Sequence, residues 1–155
     1  MLDPGLVGSW SDGPLYMGAM EDAAIVFRPD GTGFTYWTRD GGPFSVNRFD
    51  WQTPAPGQLD LRLHQHLSGW WKPQGGEAHH QVDRQSEDHS DLTLSYAIVG
   101  GQDVLGRPAT LLEFDRDVIQ GTHGGRFAFA RRDAYLDDPT VTGVLPAGWP
   151  DQIPS

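Results

Sequence analysis

Two histidines separated by one residue are the first feature of the sequence that could support chemistry. His64-Gln65-His66 lies in a stretch in which Leu59, Leu61 and Leu63 alternate with polar residues. Such a period of two is typical of a strand with one buried face, and it places both imidazoles on the same face. A pair at this spacing could supply two ligands of a metal ion, completed by Glu77, His79 or His80. The alternative is that they are surface histidines beside Asp60 and Arg62, and we therefore assign no metal site.

Acid–base chemistry has one carboxylate candidate, Glu113, which is surrounded in the sequence by Leu111, Leu112 and Phe114. If Glu113 faces the interior of the fold, it must be paired, hydrogen-bonded or protonated, because an unpaired buried charge is costly. If it faces outward beside Asp115, it is an ordinary surface residue. The chain has no cysteine, which excludes thiol nucleophiles and disulfides.

Phosphate loops and serine nucleophile elbows are not indicated by the sequence. It has no Gly-x-Ser-x-Gly motif, and its glycine pairs occupy hairpin positions rather than preceding a helix. No cofactor is therefore predicted.

Aromatic residues are numerous enough to line a cavity as well as to fill a core. The residues that we predict to contact a small hydrophobic or aromatic ligand are Tyr36, Trp37, Phe49, Trp51, Tyr96 and Phe114. Small barrels occur both with filled interiors and with cavities for a single ligand, so a filled core is the alternative.

The charge balance restricts the partners. Eleven basic residues stand against 21 acidic residues, for a net charge of -10, and Lys72 is the only lysine. This charge repels phosphate backbones and anionic lipids, so we expect no nucleic-acid or membrane partner. The first residues show neither a basic segment nor a long apolar run, and we expect a cytoplasmic protein of unassigned oligomeric state.

The elements that must position these residues are short strands separated by turns. The clearest hairpin joins residues 24–28 and 34–38 through Asp30-Gly31, a dipeptide that favours tight turns. Further strands are predicted at 6–10, 44–53, 59–66, 78–84, 92–98, 109–115 and 126–131, and one helical turn at 133–138. Eight or nine strands without a crossover helix predict an all-β fold, a single antiparallel up-and-down barrel over residues 1–138, followed by an irregular proline-rich tail over 139–155.

The opening motif Gly8-Ser9-Trp10 resembles that of lipocalin-like domains in the calycin superfamily, and the 27–34 hairpin is similar to bacterial lipocalin-like sequences. The resemblance implies that Trp10 closes one end of the barrel beneath an arginine, Arg131 or Arg132, in a cation–π contact. The family's later Thr-Asp-Tyr motif is absent. A β-sandwich is the alternative architecture.

Three functions follow from these features. The leading hypothesis is a protein that binds a small hydrophobic or aromatic molecule inside the barrel, with entry past residues 11–22. The second is an enzyme in the same cavity, such as a cyclase, isomerase or hydratase, using Glu113 or a histidine. The third is an acidic inhibitor with a filled barrel that covers a basic partner through Asp83, Glu87, Asp88 and Asp91.

Overall fold

The computed structural model describes residues 1–15, 21–39, 42–75, 77–118, 125–131 and 138–143. Within them lie nine strands and two short helices. The strands are β1 (Gly8–Ser11), β2 (Glu21–Phe27), β3 (Thr32–Arg39), β4 (Pro43–Ala55), β5 (Gln58–Gln74), β6 (Glu77–Glu87), β7 (Asp91–Gln102), β8 (Pro108–Phe114) and β9 (Arg126–Arg131). A 3-10 turn (Gly13–Leu15) follows β1, and α1 spans Pro139–Thr142.

All strand pairs are antiparallel, and eight strands close a ring in the order β1-β2-β3-β4-β5-β7-β8-β9. The predicted all-β, up-and-down barrel is confirmed. The sixth strand is not part of the ring, because β6 pairs with β5 alone among the described strands. The predicted hairpin is also confirmed: β2 and β3 pair from Glu21↔Arg39 to Phe27↔Gly33.

The fifth strand is the longest element, and it changes its neighbour partway along. Its residues 58–62 pair with β7, whereas residues 65–74 pair with β6. Between these two stretches, Phe49 pairs with Leu63 and Arg48 pairs with Gln65, so His64 is an extra residue in β5. Such a β-bulge bends its strand and increases the local twist. The bulge therefore lies where β5 leaves the closed ring.

Most of the barrel interior is filled by apolar side chains. Residues that fill it from several strands, with at most 1% of their surface exposed, include Trp10, Phe27, Phe49, Leu59, Leu94 and Leu112. A side chain that borders a water-sized cavity keeps accessible surface, so these values indicate close packing. Burial of this apolar surface is the main source of stability.

A second apolar cluster lies on the outer face of β2 to β5. It contains Val26, Phe34, Tyr36, Phe44 and Val46, each at most 2% exposed, and Val82 of β6 packs against it. Because both faces of β2 are buried, its residues 23–27 form a continuous apolar run rather than an alternating pattern.

Hydrogen bonds from one arginine help to hold helix α1 against the outside of the barrel. Arg48 Nε donates to Asp138 Oδ2 at 2.9 Å, and an Arg48 terminal nitrogen donates to Thr140 Oγ1 at 3.0 Å. Asp138 also caps the helix by accepting from the Thr140 N–H at 2.9 Å. The start of the expected irregular tail is thus a short helix, whereas the helical turn expected at 133–138 lies, except for Asp138, outside the described residues. Neither helix in the described ranges is long and apolar enough to cross a membrane.

Candidate functional site

The inner face of three neighbouring strands is polar beyond the bulge, in contrast to the rest of the interior. Cross-strand pairing aligns Thr35 with Asn47 and His66, and aligns Trp37 with Ser45 and Ser68. Directly paired residues share a face, and Trp37 packs against the interior cluster. We call these six residues the polar wall: Thr35, Trp37, Ser45, Asn47, His66 and Ser68. Thr35 is buried, and the other five are partly exposed.

A chain of hydrogen bonds crosses the polar wall. The Asn47 amide nitrogen donates to Thr35 Oγ1 at 3.4 Å, and Asn47 Oδ1 lies 2.9 Å from His66 Nδ1. Because an amide oxygen only accepts, Nδ1 of His66 carries a proton. Nε2 is then left as a hydrogen-bond acceptor, and no other described residue hydrogen-bonds to this imidazole. His66 can therefore accept a hydrogen bond from a bound molecule.

Trp37 supplies the aromatic surface of the polar wall. It packs against the interior cluster on one side and remains partly exposed. Its indole Nε1 is buried and has no hydrogen-bond partner among the described residues. Leaving such a donor unsatisfied costs about 1–3 kcal/mol, so this residue is held in place by packing rather than by hydrogen bonding.

A buried carboxyl group lies beside this wall. Asp12 follows β1, is 3% exposed, and accepts a hydrogen bond from the Ala23 N–H at 2.8 Å. Ala23 is the cross-strand partner of Trp37, which places Asp12 at the same end of the barrel. Burial raises the pKa of Asp12 to about 7, against the lowering effect of the Ala23 N–H, and the charges of Asp22 and Glu21 raise it further. Asp12 therefore changes charge near neutral pH.

The bulge corrects the expectation that His64 and His66 share one face. His66 points inward to Asn47, whereas His64 Nε2 lies 3.1 Å from Asp50 Oδ1 on the outside. Two imidazoles on opposite faces cannot bind one metal ion. Of the histidines proposed to complete a site, His80 packs on the outer cluster, with Nε2 2.7 Å from the Tyr36 hydroxyl. The described residues contain no group of three or more possible metal ligands.

Glu113 faces away from the interior, which is the second of the two orientations that the sequence allows. Its carboxylate accepts from Arg126 Nε at 3.0 Å, across the β8–β9 pair, with the two side chains 39% and 45% exposed. The inward residues of β8 are its neighbours Leu112 and Phe114. Glu113 thus forms a surface ion pair rather than part of an interior site.

The six aromatic candidates occupy different environments. Tyr36 belongs to the outer cluster, and Phe49 and Trp51 lie in the filled part of the interior. Tyr96 and Phe114 are partly buried at other points of the inner face, and the Tyr96 hydroxyl donates to Asp3 at 2.5 Å. Burial, and then the Asp3 carboxylate, raise the pKa of Tyr96. Of the six, only Trp37 belongs to the polar wall.

The motif that carries the lipocalin resemblance has its tryptophan in the core. Trp10 is fully buried, donates from Nε1 to the Leu6 carbonyl at 2.9 Å, and packs edge-on against Phe129 with ring centroids 5.1 Å apart. The expected arginine contact involves the Arg131 side chain or Arg132, which lie outside the described part of the chain.

The expected acidic face is spread over several elements. Asp83 and Glu87 are exposed on β6, and Asp91 lies 3.5 Å from Arg62 at the start of β7. Asp88 accepts from the Ser90 N–H at 2.9 Å, and hydrogen bonds from Ser90 lower the pKa of Asp88. Of these carboxylates, Asp88 is therefore engaged in a local turn and Asp91 in an ion pair.

Sequence reasoning did not identify Asp12, Asn47 or His66 as one constellation. For Asn47, alternation along β4 was a usable signal. Asn47 lies two residues from Phe49 and four from Trp51, so all three are expected on the same face of the strand. Asp12 likewise lies two residues after the inward-facing Trp10 and is expected on the same face. Nothing in the sequence marks the bulge that turns His66 inward.

Comparison with known proteins gives no further guide. No protein-family description matches the chain, and no curated protein matches it. The chemistry of the site must therefore be argued from its geometry. That geometry combines an aromatic surface, a hydrogen-bond acceptor at His66 Nε2 and a carboxyl that titrates near neutrality.

Proposed function

We propose that this protein binds a small, flat, aromatic molecule against the polar wall, on the inner face of the barrel. The observation that carries the proposal is the hydrogen-bonded chain Thr35–Asn47–His66 on that face. A barrel that served only as a packed scaffold would fill this face with apolar side chains, as it does elsewhere in the interior. Partly exposed polar groups that converge beside an aromatic surface are typical of small-molecule sites.

The wall also indicates the character of the ligand. Trp37 offers a surface on which a flat ring can stack, and His66 Nε2 accepts one hydrogen bond. The buried carboxyl beside the wall, Asp12, and its acidic neighbours disfavour an anion. The expected ligand is a neutral aromatic molecule with one hydrogen-bond donor.

A neutral fluorescent dye tests this proposal. N-phenylnaphthylamine has flat rings flanking one N–H group, and its emission rises when it leaves water. Titration should give saturable binding at one site. His66→Leu removes one hydrogen bond and should weaken binding about three- to tenfold. Trp37→Ala should weaken it by at least as much, because it also removes the stacking surface.

A matched tryptophan variant serves as the control. Trp70 lies outside the polar wall with 47% of its surface exposed, so Trp70→Ala should leave dye affinity unchanged. Native mass spectrometry of the protein as purified adds a direct measurement, since a retained small molecule would be released on denaturation. Equal loss of dye binding in the Trp37 and Trp70 variants, or no binding by the wild type, would contradict the proposal.

A further inference from the structure

The end of the barrel where β4 turns into β5 carries an apolar recess of about 490 Å³. Its lining is almost entirely uncharged and includes Pro4, Pro54, Ala55, Pro56, Tyr96 and Ile98. A leucine truncated to alanine leaves a cavity of about 150 Å³. The recess can therefore accept more than one aliphatic side chain.

The β7–β8 turn on the same hairpin as Ile98 presents two aliphatic side chains to solvent. Val104 is 48% exposed and Leu105 is 54% exposed. The turn that carries them is fixed by Asp103, which accepts from the Leu105 N–H at 2.9 Å, the Arg107 N–H at 3.0 Å and Arg107 Nε at 2.8 Å. Because the turn is held by its own hydrogen bonds, its apolar tip is ordered without a partner, and burial of that tip costs little conformational entropy.

We propose that this end of the barrel is a self-association surface, in which Val104 and Leu105 of each copy fill the recess of a second copy. The tip and the recess belong to one end of the molecule. They are connected by residues 98–102 of β7, which span about 13 Å at 3.3 Å per residue. A two-fold axis between them makes both junctions at once, since the tip of each copy meets the recess of the other.

The distribution of charge favours a second copy over a membrane or a basic protein. The chain carries a net charge of -10, yet Asp103 and Arg107 at the tip neutralise each other. The one charged side chain that lines the recess, Asp3, is bound by the Gly5 N–H at 2.9 Å and by the Tyr96 hydroxyl. Two copies therefore repel each other least at this end, whereas the rest of the surface repels anionic lipids.

Sedimentation velocity across a concentration series tests the proposal. Two small junctions fall below the size of a standard interface, so we expect a dissociation constant on the order of 100 µM. Leu105→Asp should raise this constant more than about 100-fold, because two-fold symmetry removes the leucine from both junctions. Val141→Asp is the matched control: Val141 is 58% exposed on α1, and this variant should associate like the wild type.

A recess variant distinguishes the tip-in-recess arrangement from contact between two tips. Ala55→Glu should abolish association as Leu105→Asp does. An equimolar mixture of these two variants should regain part of it, because one junction of the mixed pair has an intact tip and an intact recess. Circular dichroism of each variant shows whether it is folded.

Three results would overturn the proposal. The first is a wild-type protein that stays monomeric up to about 1 mM. The second is association that survives in Leu105→Asp or Ala55→Glu. The third is a monomeric protein that co-sediments with phosphatidylcholine vesicles, with binding that is lost in Leu105→Asp. A lipid surface would then be the occupant of this end.

Discussion

Asp12 makes the stability of this protein depend on pH in a direction opposite to that of most carboxylates. Its pKa is about 7 in the folded protein, raised chiefly by burial, against an ordinary value of 3.8. Between these two values the folded state binds a proton that the unfolded state has released. Stability from this group is therefore complete below about pH 4 and is lost as the pH rises through 7.

The substitution that isolates this effect is Asp12→Asn. Asparagine keeps an oxygen that can accept the Ala23 N–H, now 2.8 Å from Asp12 Oδ1, but it cannot ionise. From about pH 5 to about pH 8.5, the wild type should lose about 2.7 kcal/mol relative to the variant, because each of two pH units below the folded pKa contributes about 1.36 kcal/mol. The difference between the two unfolding free energies should therefore shift in favour of the variant as the pH rises.

Urea unfolding of the wild type and of Asp12→Asn at the two pH values measures the difference between their unfolding free energies directly. Other groups titrate alike in both proteins, so the difference between their unfolding free energies reports Asp12. NMR titration of the Asp12 carboxyl carbon supplies a second readout, and its midpoint is expected near the folded pKa of about 7. A free-energy difference that stays constant within about 0.5 kcal/mol would refute the reasoning, since Asp12 would then titrate alike in both states.

Two further substitutions, each with a matched control, test an ion pair and a close backbone approach in this barrel. Arg48→Ala leaves the buried Asp138 carboxylate without its ion pair and should cost about 2 kcal/mol in urea unfolding, whereas Arg62→Ala, whose side chain is 77% exposed, should cost less than about 0.5 kcal/mol. A Cβ atom at Gly33 would collide with the Val26 carbonyl oxygen of the neighbouring strand, so Gly33→Ala should cost more than about 3 kcal/mol. Gly100→Ala, where a Cβ meets nothing within 4 Å, should change thermal stability little; equal effects at the two glycines would contradict this packing.

The strands of the barrel could be predicted because their signals are local. Asp30-Gly31 between two β-rich runs fixes a hairpin, and the alternation of Leu59, Leu61 and Leu63 fixes the inner face of β5 up to the bulge. Alternation along β8 likewise predicts that Glu113 faces outward, since its neighbours Leu112 and Phe114 face inward. In these cases one face is apolar and the other is polar, so the period of two is unambiguous.

The candidate site could not be predicted because its geometry depends on long-range pairing. Tyr36 and Trp37 are adjacent aromatic residues on opposite faces, and both faces of β3 carry aromatic side chains because a second cluster covers the outside. The spacing of apolar residues alone cannot then show whether the Tyr36 or the Trp37 side chain points inward. The sequence His64-Gln65-His66 likewise reads as regular alternation, whereas the partner strand places one extra residue there.

The bulge in β5 also explains why a polar face can exist inside this barrel. Before the bulge, β5 pairs with β4 and β7 within the closed ring, and inward positions such as Leu61 are covered by the opposite wall. After it, the second neighbour of β5 is β6, which lies outside the ring. Asn47 and His66 thus occupy inward positions where the wall departs from the ring and water has access, which lowers the cost of placing polar groups there. One inserted residue therefore turns part of the inner face of a filled barrel into a partly exposed polar surface.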